Sequence, residues 1–494
     1  MNIILFSILS LLGTYFPQIT SETIGQIQIN KNGIEFFAKS GIEKLAEDME
    51  NETIPPYSGT GPKRLSYQFT NIDITSFKIL KEPKSITLFG PKRVTVGFVN
   101  MNIKLNVTYN LKYKDGLTKT DQGTFEVDIN NGNVSLGIDV INKEPFNFQP
   151  SICNVNIINT QLVQISGQID SWINNEFNNS IKNYINPNLI SIFCDNFEKL
   201  FTETSNDLIN NATEPIEIGN SNEYLKGFSI NYGVSSNPIV DNKFGIEIPI
   251  NAKLNFIKSN KYKFGKYIAR KFASDKHICI DLDFFNFGQY LIDNINNSPT
   301  VQSLGCDLIK SKLQNKIQQF FSCGCDDKSY CISDIIPDLD RHCTNYTPIA
   351  LVFNSLKLTN ISIQNDVIHV NLSQIVSFEI ENNDKRTKLF KIEIYPIYIL
   401  RKDDVEINDN KISGKVDIDM CKFKLLSSQK MDISDKAINK IVEIGLKDYI
   451  KKFVNTYLLK GIPLPIIKNY KVEKYFIEFS NKTMPICYNL LPKN

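Results

Sequence analysis

Val99–Tyr113, VNMNIKLNVTYNLKY, alternates apolar and polar residues without a break. Val99, Met101, Ile103, Leu105, Val107, Tyr109, Leu111 and Tyr113 share one side, and the residues between them are mostly polar. A period of two is that of a β-strand with one buried face. Upstream, Val94, Val96 and Phe98 keep the opposite phase. The flip at Phe98-Val99 predicts a bulge, which inserts one residue and reverses the faces. Downstream, Phe125, Val127 and Ile129 lead into Asn131-Gly132, and Val134, Leu136, Ile138 and Val140 lead out. Asn-Gly between alternating runs predicts a hairpin. Strands that are apolar on one side only need a partner of matching length to cover that side.

The flanking sequence supplies it. Before the strands, Ile27-Gln-Ile29 reads as a short strand. Ile34, Phe37, Ala38, Ile42, Leu45 and Met49 then recur at helical spacing up to Pro55-Pro56, where proline stops a helix. After the strands, Leu162, Ile165, Ile169, Trp172, Ile173, Phe177, Ile181 and Ile185 predict a long helix with an enclosed apolar stripe. The same order returns in the second half. Ile278–Leu282 reads as a strand and Phe284–Asn296 as a short helix. Ile349–Phe353, Ile368–Leu372 and Ile412–Met420 alternate, and a helix is predicted over about Ser434–Leu459. The polar, irregular Thr213–Pro238 is the join. Each half reads as an antiparallel sheet curled around one helix. A single helix fills such a tube poorly, and interiors tolerate few voids. Either further side chains or an apolar ligand completes the filling.

Composition narrows the class. The chain has 494 residues, 42% apolar and 22% charged, with a net charge of +2. That excludes a disordered chain and argues against a nucleic-acid binder. Residues 1–20 read as a signal peptide, with Met1–Leu12 as its apolar region. Sequons at Asn51, Asn106, Asn133, Asn178, Asn211, Asn296, Asn345, Asn360, Asn371 and Asn481 fit a secreted glycoprotein. No later apolar run of about 18 residues predicts a membrane span. The charge is uneven: residues 22–220 carry 17 Lys+Arg against 23 Asp+Glu, a net of −6, and residues 221–494 carry 38 against 30, a net of +8.

Four stretches, in order, resemble the lipid-binding serum glycoproteins, the family of bactericidal/permeability-increasing protein, lipopolysaccharide-binding protein and the phospholipid and cholesteryl ester transfer proteins. Ile27–Asp48, IQINKNGIEFFAKSGIEKLAED, followed by Ile54-Pro-Pro-Tyr-Ser58, is similar to the family's opening. Cys153 and Cys194 stand at the family's disulfide spacing, and the resemblance implies that they pair. Ile230-Asn-Tyr-Gly-Val234 resembles its central segment, and Lys460-Gly-Ile-Pro-Leu-Pro465 the segment after the last helix. The implied fold is α+β: an elongated boomerang of two barrels, each a curved antiparallel sheet wrapped around a long helix, joined by a central sheet. Its domains would be residues 21–220 and 221–494. The implied activity is the binding and transfer of phospholipid or other acyl lipids, by a secreted monomer that touches membranes or lipoproteins transiently. Recognition of lipopolysaccharide in innate immunity is the alternative, and a ligand-free extracellular scaffold is the second alternative.

The residues expected to line the lipid pockets are Ile34, Phe37, Ala38 and Ile42 from the first helix, Val163 and Ile165 from the start of the long one, and Met101 and Ile103 from the strands. Phe284, Phe285 and Tyr290 are their second-half counterparts. The same positions also suit plain core. Anionic headgroups would meet Lys63, Arg64, Lys112, Lys114 and Lys119, in loops that match the cationic tip of endotoxin-active relatives. The net −6 of that half departs from those relatives and favours lipid carriage over endotoxin killing. A second basic segment, Lys253–Lys276, interleaves aromatic residues with cations, Lys261, Lys263 and Lys266 among them, and opposes them only with Asp275. Its expected partner is an anionic lipid surface, with a solvated loop as the alternative.

Of the remaining cysteines, Cys306, Cys323, Cys325, Cys331 and Cys343 crowd one segment near 306–343 that reads as an insertion. Cys279 can complete six there, which leaves Cys421 and Cys487 as a further pair. In a secreted chain disulfides outweigh a zinc site, so no metal is expected, and no cofactor. No nucleophile elbow, zinc-protease motif or phosphate-binding glycine loop is present. His277, His342 and His369 stand outside any catalytic motif, so the chain is not expected to be an enzyme.

Overall fold

The computed structural model describes residues 23–141, 147–166, 171–212, 216–217, 229–255, 271–283, 286, 288–289, 292, 319–324, 330–342, 347–382, 385–408, 411–429, 431–459, 461–464, 470–479 and 483–492. The alternating stretch lies within Arg93–Asp115, a strand of 23 residues whose burial alternates along most of its length. The predicted phase flip is present: the register against the next strand shifts between Phe98 and Met101, and Asn100 lies in the left-handed region at φ 58°.

Asn131-Gly132 does not make a hairpin. Leu117–Ile141 is one continuous strand of 25 residues. Asn131, at φ 60°, carries the same left-handed kink as Asn100, and Met101 pairs with Gly132 where both strands bend. The two irregularities face each other, so the bend of one strand is taken up by its neighbour. Asn-Gly supplies the positive φ that both a turn and a bulge need, and pairing along the whole strand decides for the bulge.

The predicted long helix also begins later than its stripe. Asn159–Ile165 is a strand that pairs with Phe125–Asn130. Leu162 and Ile165 therefore belong to the sheet. Helix α2 follows, as Ser171–Ser180, a π-helical turn at Ile181–Ile185 and Asn186–Ala212. Helix α1 is Lys31–Met49. In the second half α3 repeats the plan of α2, as Asp435–Ile441, a π-turn at Val442–Leu446 and Lys447–Leu458. The Ser434 side chain caps it by accepting from Ala437 N at 3.2 Å.

Three antiparallel sheets carry these helices. The first-half sheet orders Thr53–Ile54, Leu65–Lys78, Arg93–Asp115, Leu117–Ile141 and Asn147–Asn156, with three further strands beside them. The second-half sheet orders Ser322–Cys323, Thr347–Gln364, Val367–Asn382, Lys385–Asn408, Lys411–Ser428 and Ile462–Pro463. The central sheet draws on both ends of the chain. Gly25–Ile29 lies between Gly245–Asn255 and Ile278–Leu282, which in turn pairs with Ile486–Pro492. The architecture is α+β.

The inner faces meet the long helices. On α2, Ile173, Phe177, Ile181, Ile185, Leu189 and Phe193 are buried. The Phe177 ring lies 5.0 Å from Phe69, 5.5 Å from Phe125, and 5.4 Å from both Tyr67 and Tyr109. Phe193 stacks on Phe77 at 5.8 Å. The Cys153–Cys194 disulfide ties α2 to the strand Asn147–Asn156. On α3, Tyr449 stacks on Phe353 at 5.9 Å. Gly445 lets Phe320 and Phe321 approach the backbone: a Cβ there would lie 2.7 Å from Phe321 Cζ.

Candidate functional site

The expected lining residues form part of the first-half interior. Ile34, Phe37, Ile42, Met101 and Ile103 are at most 2% exposed, and Ala38 packs against the same cluster. Helix α1 carries Ile34, Phe37, Ala38 and Ile42 and lies beside the strand Leu65–Lys78 and beside α2, while Met101 and Ile103 belong to the strand Arg93–Asp115. Its end is fixed by two polar contacts, Glu50 Oε1 accepting from Phe77 N at 3.1 Å and Asn196 Nδ2 near Met49 Sδ at 3.8 Å. Two expectations change. Val163 is half exposed, at 51%, because it sits on a strand and not on the inward side of a helix. Ile165 lies on that same strand. Phe284, Phe285 and Tyr290 lie outside the described residues.

At one end of the first-half sheet the five expected cations come together. Lys63 and Arg64 occupy a turn in the left-handed region, at φ 51° and 54°. Lys114 N donates to Lys63 O at 2.9 Å, which ties that turn to the next hairpin. That hairpin runs through Asp115 and Gly116 (φ 73°) to Leu117, and pairs Lys112 with Thr120 and Tyr113 with Lys119. Lys63 Nζ lies 5.2 Å from the Trp172 ring centroid and 3.5 Å from Asp115 Oδ1. Among the described residues, no carboxylate is within ion-pair distance of Arg64, Lys112, Lys114 or Lys119. Leu117, at the apex, is 80% exposed.

One residue of this end escapes the sequence reading, and another gains a second role. Trp172 lies on the apolar stripe of α2 and packs against the core as expected, and from the first turn of the helix it also meets this end, edge-on to Tyr113 at 5.6 Å. Leu117 follows a lone Gly116 and fits no periodic run, and that isolation is its only signal. Just below the cations, the single Tyr109 hydroxyl proton is shared between two acceptors, Asp121 Oδ2 and Ser166 O, each 3.0 Å away. Burial first, and Asp121 second, push its pKa above the usual phenol range.

The described end of the second basic segment is not a free cationic face. Lys271 pairs with Asp241 and lies 3.2 Å from Glu247, so it is neutralised by residues remote in sequence. Lys276 is 3.5 Å from Asp275. Residues 271–276 are pinned over the central sheet. Gln28 donates to Phe272 O at 2.6 Å and accepts from Phe272 N at 2.9 Å, Asn30 donates to Lys276 O at 3.1 Å, and Asn32 to Asp275 O at 2.9 Å. The strap, with Phe476, Glu478 and Cys487, borders a surface cavity of about 460 Å³. Lys261, Lys263 and Lys266 lie outside the described residues.

Cys487 does not pair with Cys421. It bonds Cys279, its direct neighbour in register between Ile278–Leu282 and Ile486–Pro492. Cys421 belongs to Lys411–Ser428, in a different sheet. Cys323 and Cys331 are disulfide-bonded as well. His277 is structural: it stacks on Phe36 at 4.5 Å and accepts from Leu490 N at its Nδ1, 3.1 Å away. Burial, and then the Lys276 charge, hold its pKa below the ordinary imidazole value, against an opposing pull from Glu473. Among the described residues no group of three His, Cys, Asp or Glu is placed to hold a metal. No helix among them is long and apolar enough to cross a membrane.

Residues 303–490 match the LBP / BPI / CETP family, C-terminal domain. That span takes in the cysteine-rich stretch near 306–343. The fold is similar to that of a lipopolysaccharide binding protein crystal structure, with a TM-score of 0.60 and 15% identity over 95% of this chain and 99% of that one. Matches to P47 of Clostridium botulinum E1 (TM-score 0.24, 10% identity, 95% and 99% coverage) and to Takeout 1 of Epiphyas postvittana (TM-score 0.19, 12% identity, 36% and 88% coverage) are too distant to carry an argument. No curated protein matches the sequence.

Proposed function

We propose that this chain, a member of the LBP/BPI/CETP family, is a secreted protein that binds phospholipid acyl chains in its apolar interiors and transfers them between surfaces. The observation that carries the reading is the pairing, in both halves, of a long helix bearing a buried stripe with an antiparallel sheet that is apolar on its inner face alone. In this reading residues 21–220 and 221–494 are the two barrels of an elongated boomerang. Ile34, Phe37, Ala38, Ile42, Met101 and Ile103 wall the first pocket. No bond is made or broken. Each methylene taken from water into such a slot contributes about 0.8 kcal/mol, so an acyl chain leaving a bilayer keeps most of its burial while its headgroup stays near solvent.

Mass spectrometry of organic extracts from the natively secreted protein tests this reading, together with transfer of labelled phosphatidylcholine between vesicles. Stoichiometric phospholipid and protein-dependent transfer are expected. A lipid-free extract with no transfer leaves the scaffold reading in its place.

The cationic end favours a second reading, recognition of a polyanionic envelope lipid such as lipopolysaccharide. Its support is the gathering of Lys63, Arg64, Lys112, Lys114 and Lys119 at the end of the sheet that carries the exposed Leu117. Trp172 is the chain's single tryptophan, so its emission reports on that end. Titration with lipopolysaccharide at physiological salt should shift the emission, and an unchanged spectrum with no retained ligand removes this reading.

A further inference from the structure

The fold separates the glycosylation sequons by exposure. Among those whose side chains are described, Asn51, Asn106 and Asn360 stand exposed, whereas Asn133, Asn178 and Asn371 are partly buried. Asn51 follows the end of α1, where its Nδ2 donates one proton to Glu47 O at 2.9 Å and keeps a second. Asn106 lies on the outer face of Arg93–Asp115, between the fully buried Leu105 and Val107. Its neighbours in register are Asp73 and Glu126, both exposed. Asn360 and Asn371 are direct partners on adjacent strands of the second-half sheet, and they differ sharply. Asn360 is open to solvent beside a bulge at Thr359. Asn371 is held between Asn360 and Ile397 in register, and Thr359 Oγ1 donates to its carbonyl at 2.8 Å. The Asn371 side-chain oxygen is sealed from solvent. The hydroxyl of its sequon, on Ser373, is also committed: Ser373 is 9% exposed and donates to Glu393 Oε1 at 2.5 Å.

A sequon in a secreted chain accepts an oligosaccharide, which is bulky and hydrated. The donor is an oligosaccharide carried on a lipid pyrophosphate. Asn Nδ2 bonds the anomeric carbon of the first sugar, the bond from that carbon to the pyrophosphate breaks, the lipid pyrophosphate leaves, and the amide gives up one proton. The native protein can keep such a group only where the fold leaves the amide in water. Side chains directly opposite on paired strands are about 4.5–5.5 Å apart at Cβ, so a sugar on Asn360 also covers Asn371. We propose that Asn51, Asn106 and Asn360 carry N-linked glycans and that Asn371 stays bare, an inference that rests on the secreted part of the reading above. The sugars on Asn106 and Asn360 hold the outer faces of both sheets in water, so a lipid surface is met elsewhere on the molecule.

Glycopeptide mapping of the full-length protein, purified from its own cells and from their medium, tests the assignment. Cleavage before Asp366 puts Asn360 and Asn371 on separate peptides. Enzymatic removal of the sugars in heavy-oxygen water turns each occupied asparagine into a labelled aspartate, which mass spectrometry locates. Label is expected at Asn51, Asn106 and Asn360, and none at Asn371. Label at Asn371, or its absence from any of the other three, overturns the assignment. Asn360→Gln should lose the mass of one glycan and leave Asn371 unlabelled; label appearing at Asn371 in that variant overturns the argument from burial. Removing the sugars from the folded protein should leave its binding to phospholipid vesicles unchanged. A shift in that affinity would put an outer face at the bilayer and overturn the shielding role. Unlabelled protein in the medium overturns the glycans and leaves secretion and lipid binding standing. A chain found only inside the cell, and unlabelled, removes the secreted reading and the glycans together.

Discussion

Replacing Phe177 by alanine tests whether α2 is enclosed by its sheet. The ring is fully buried and has four aromatic neighbours within 5.5 Å, contributed by two parts of Leu65–Lys78 and by the two long strands that follow. Phe→Ala at a buried site costs about 3–5 kcal/mol, the spread depending on how far the site collapses. Collapse is restricted here, because Phe69, Tyr109 and Phe125 are each held by strand pairing on both sides. The upper part of that range is expected, about 4–5 kcal/mol. For a cooperative unit of roughly 200 residues this lowers the melting temperature by about 10–15 °C.

The assay follows from Trp172, less than two turns before Phe177 on α2. Its emission during urea unfolding reports undocking of that helix end. Phe89→Ala is the matched control, since Phe89 is 52% exposed and should move the midpoint by no more than about 0.5 kcal/mol. A Phe177→Ala loss below about 1 kcal/mol, with a midpoint no different from the control, would refute enclosure of α2 by the sheet. The pocket argument for the first half would then lose its basis.

Acid should weaken the central sheet through His277. Its folded pKa is depressed by burial, so its contribution is present above the unfolded value of about 6.5 and is lost as pH falls through and below it. The slope is at most about 1.4 kcal/mol per pH unit per proton. Urea midpoints measured from pH 7.5 to 5 should fall, and should fall less in His277→Phe, which keeps the stack on Phe36; equal slopes would assign the titration elsewhere. Gly445→Ala should cost about 1–3 kcal/mol by overpacking against Phe320 and Phe321, measured as a lower denaturation midpoint of the second half; a neutral result would mean that those rings move aside. The triple reversal Lys112→Glu, Lys114→Glu, Lys119→Glu should abolish any salt-sensitive binding to anionic vesicles while leaving neutral-lipid uptake intact. Loss of both activities would place the lysines at the pocket and not at a separate contact surface.

The elements that the sequence predicts well are those held by local periodicity. Helix α1 is found at Lys31–Met49 and α3 starts at its Ser434 cap, because both stripes are regular and their ends carry stop or start chemistry. Two local signals were ambiguous for physical reasons. Asn131-Gly132 offers a left-handed backbone that serves a bulge as well as a turn. Leu162 and Ile165 fit a helical stripe, yet Gln161-Leu162-Val163-Gln164-Ile165 meets the free edge of Phe125–Asn130 and joins the sheet. Of the central sheet, the strands at Ile27–Ile29 and Ile278–Leu282 were legible but their pairing was not. Gly25–Ile29 pairs with residues more than 200 positions away, and no local pattern encodes a partner. The Cys279–Cys487 bond follows from the same long-range register and was invisible for the same reason. The positions proposed as pocket walls read as apolar in the sequence, and residue type alone does not divide core from ligand surface.

Charge shows where summing over sequence misleads. Residues 22–220 carry a net of −6, which as a sum opposes contact with anionic lipid. At physiological salt an exposed charge is screened beyond about 8–10 Å, so a surface is governed by its nearest groups and not by the total of its half. Several acids of this half are already engaged: Asp139 pairs with Arg93, Glu82 with Lys39, Glu43 with Lys81, and Asp121 accepts from Tyr109. At the hairpin end, Asp115 sits 3.5 Å from Lys63, and Arg64, Lys112, Lys114 and Lys119 lie at the same end of the sheet as the exposed Leu117. The local sign there is positive, and the negative sum is spread over surfaces elsewhere. An acyl-lipid carrier that must touch a bilayer needs such an end whether or not it recognises endotoxin, so the half's net charge does not discriminate between the two readings. The salt dependence of vesicle binding through this end, compared with lipopolysaccharide at the same ionic strength, does.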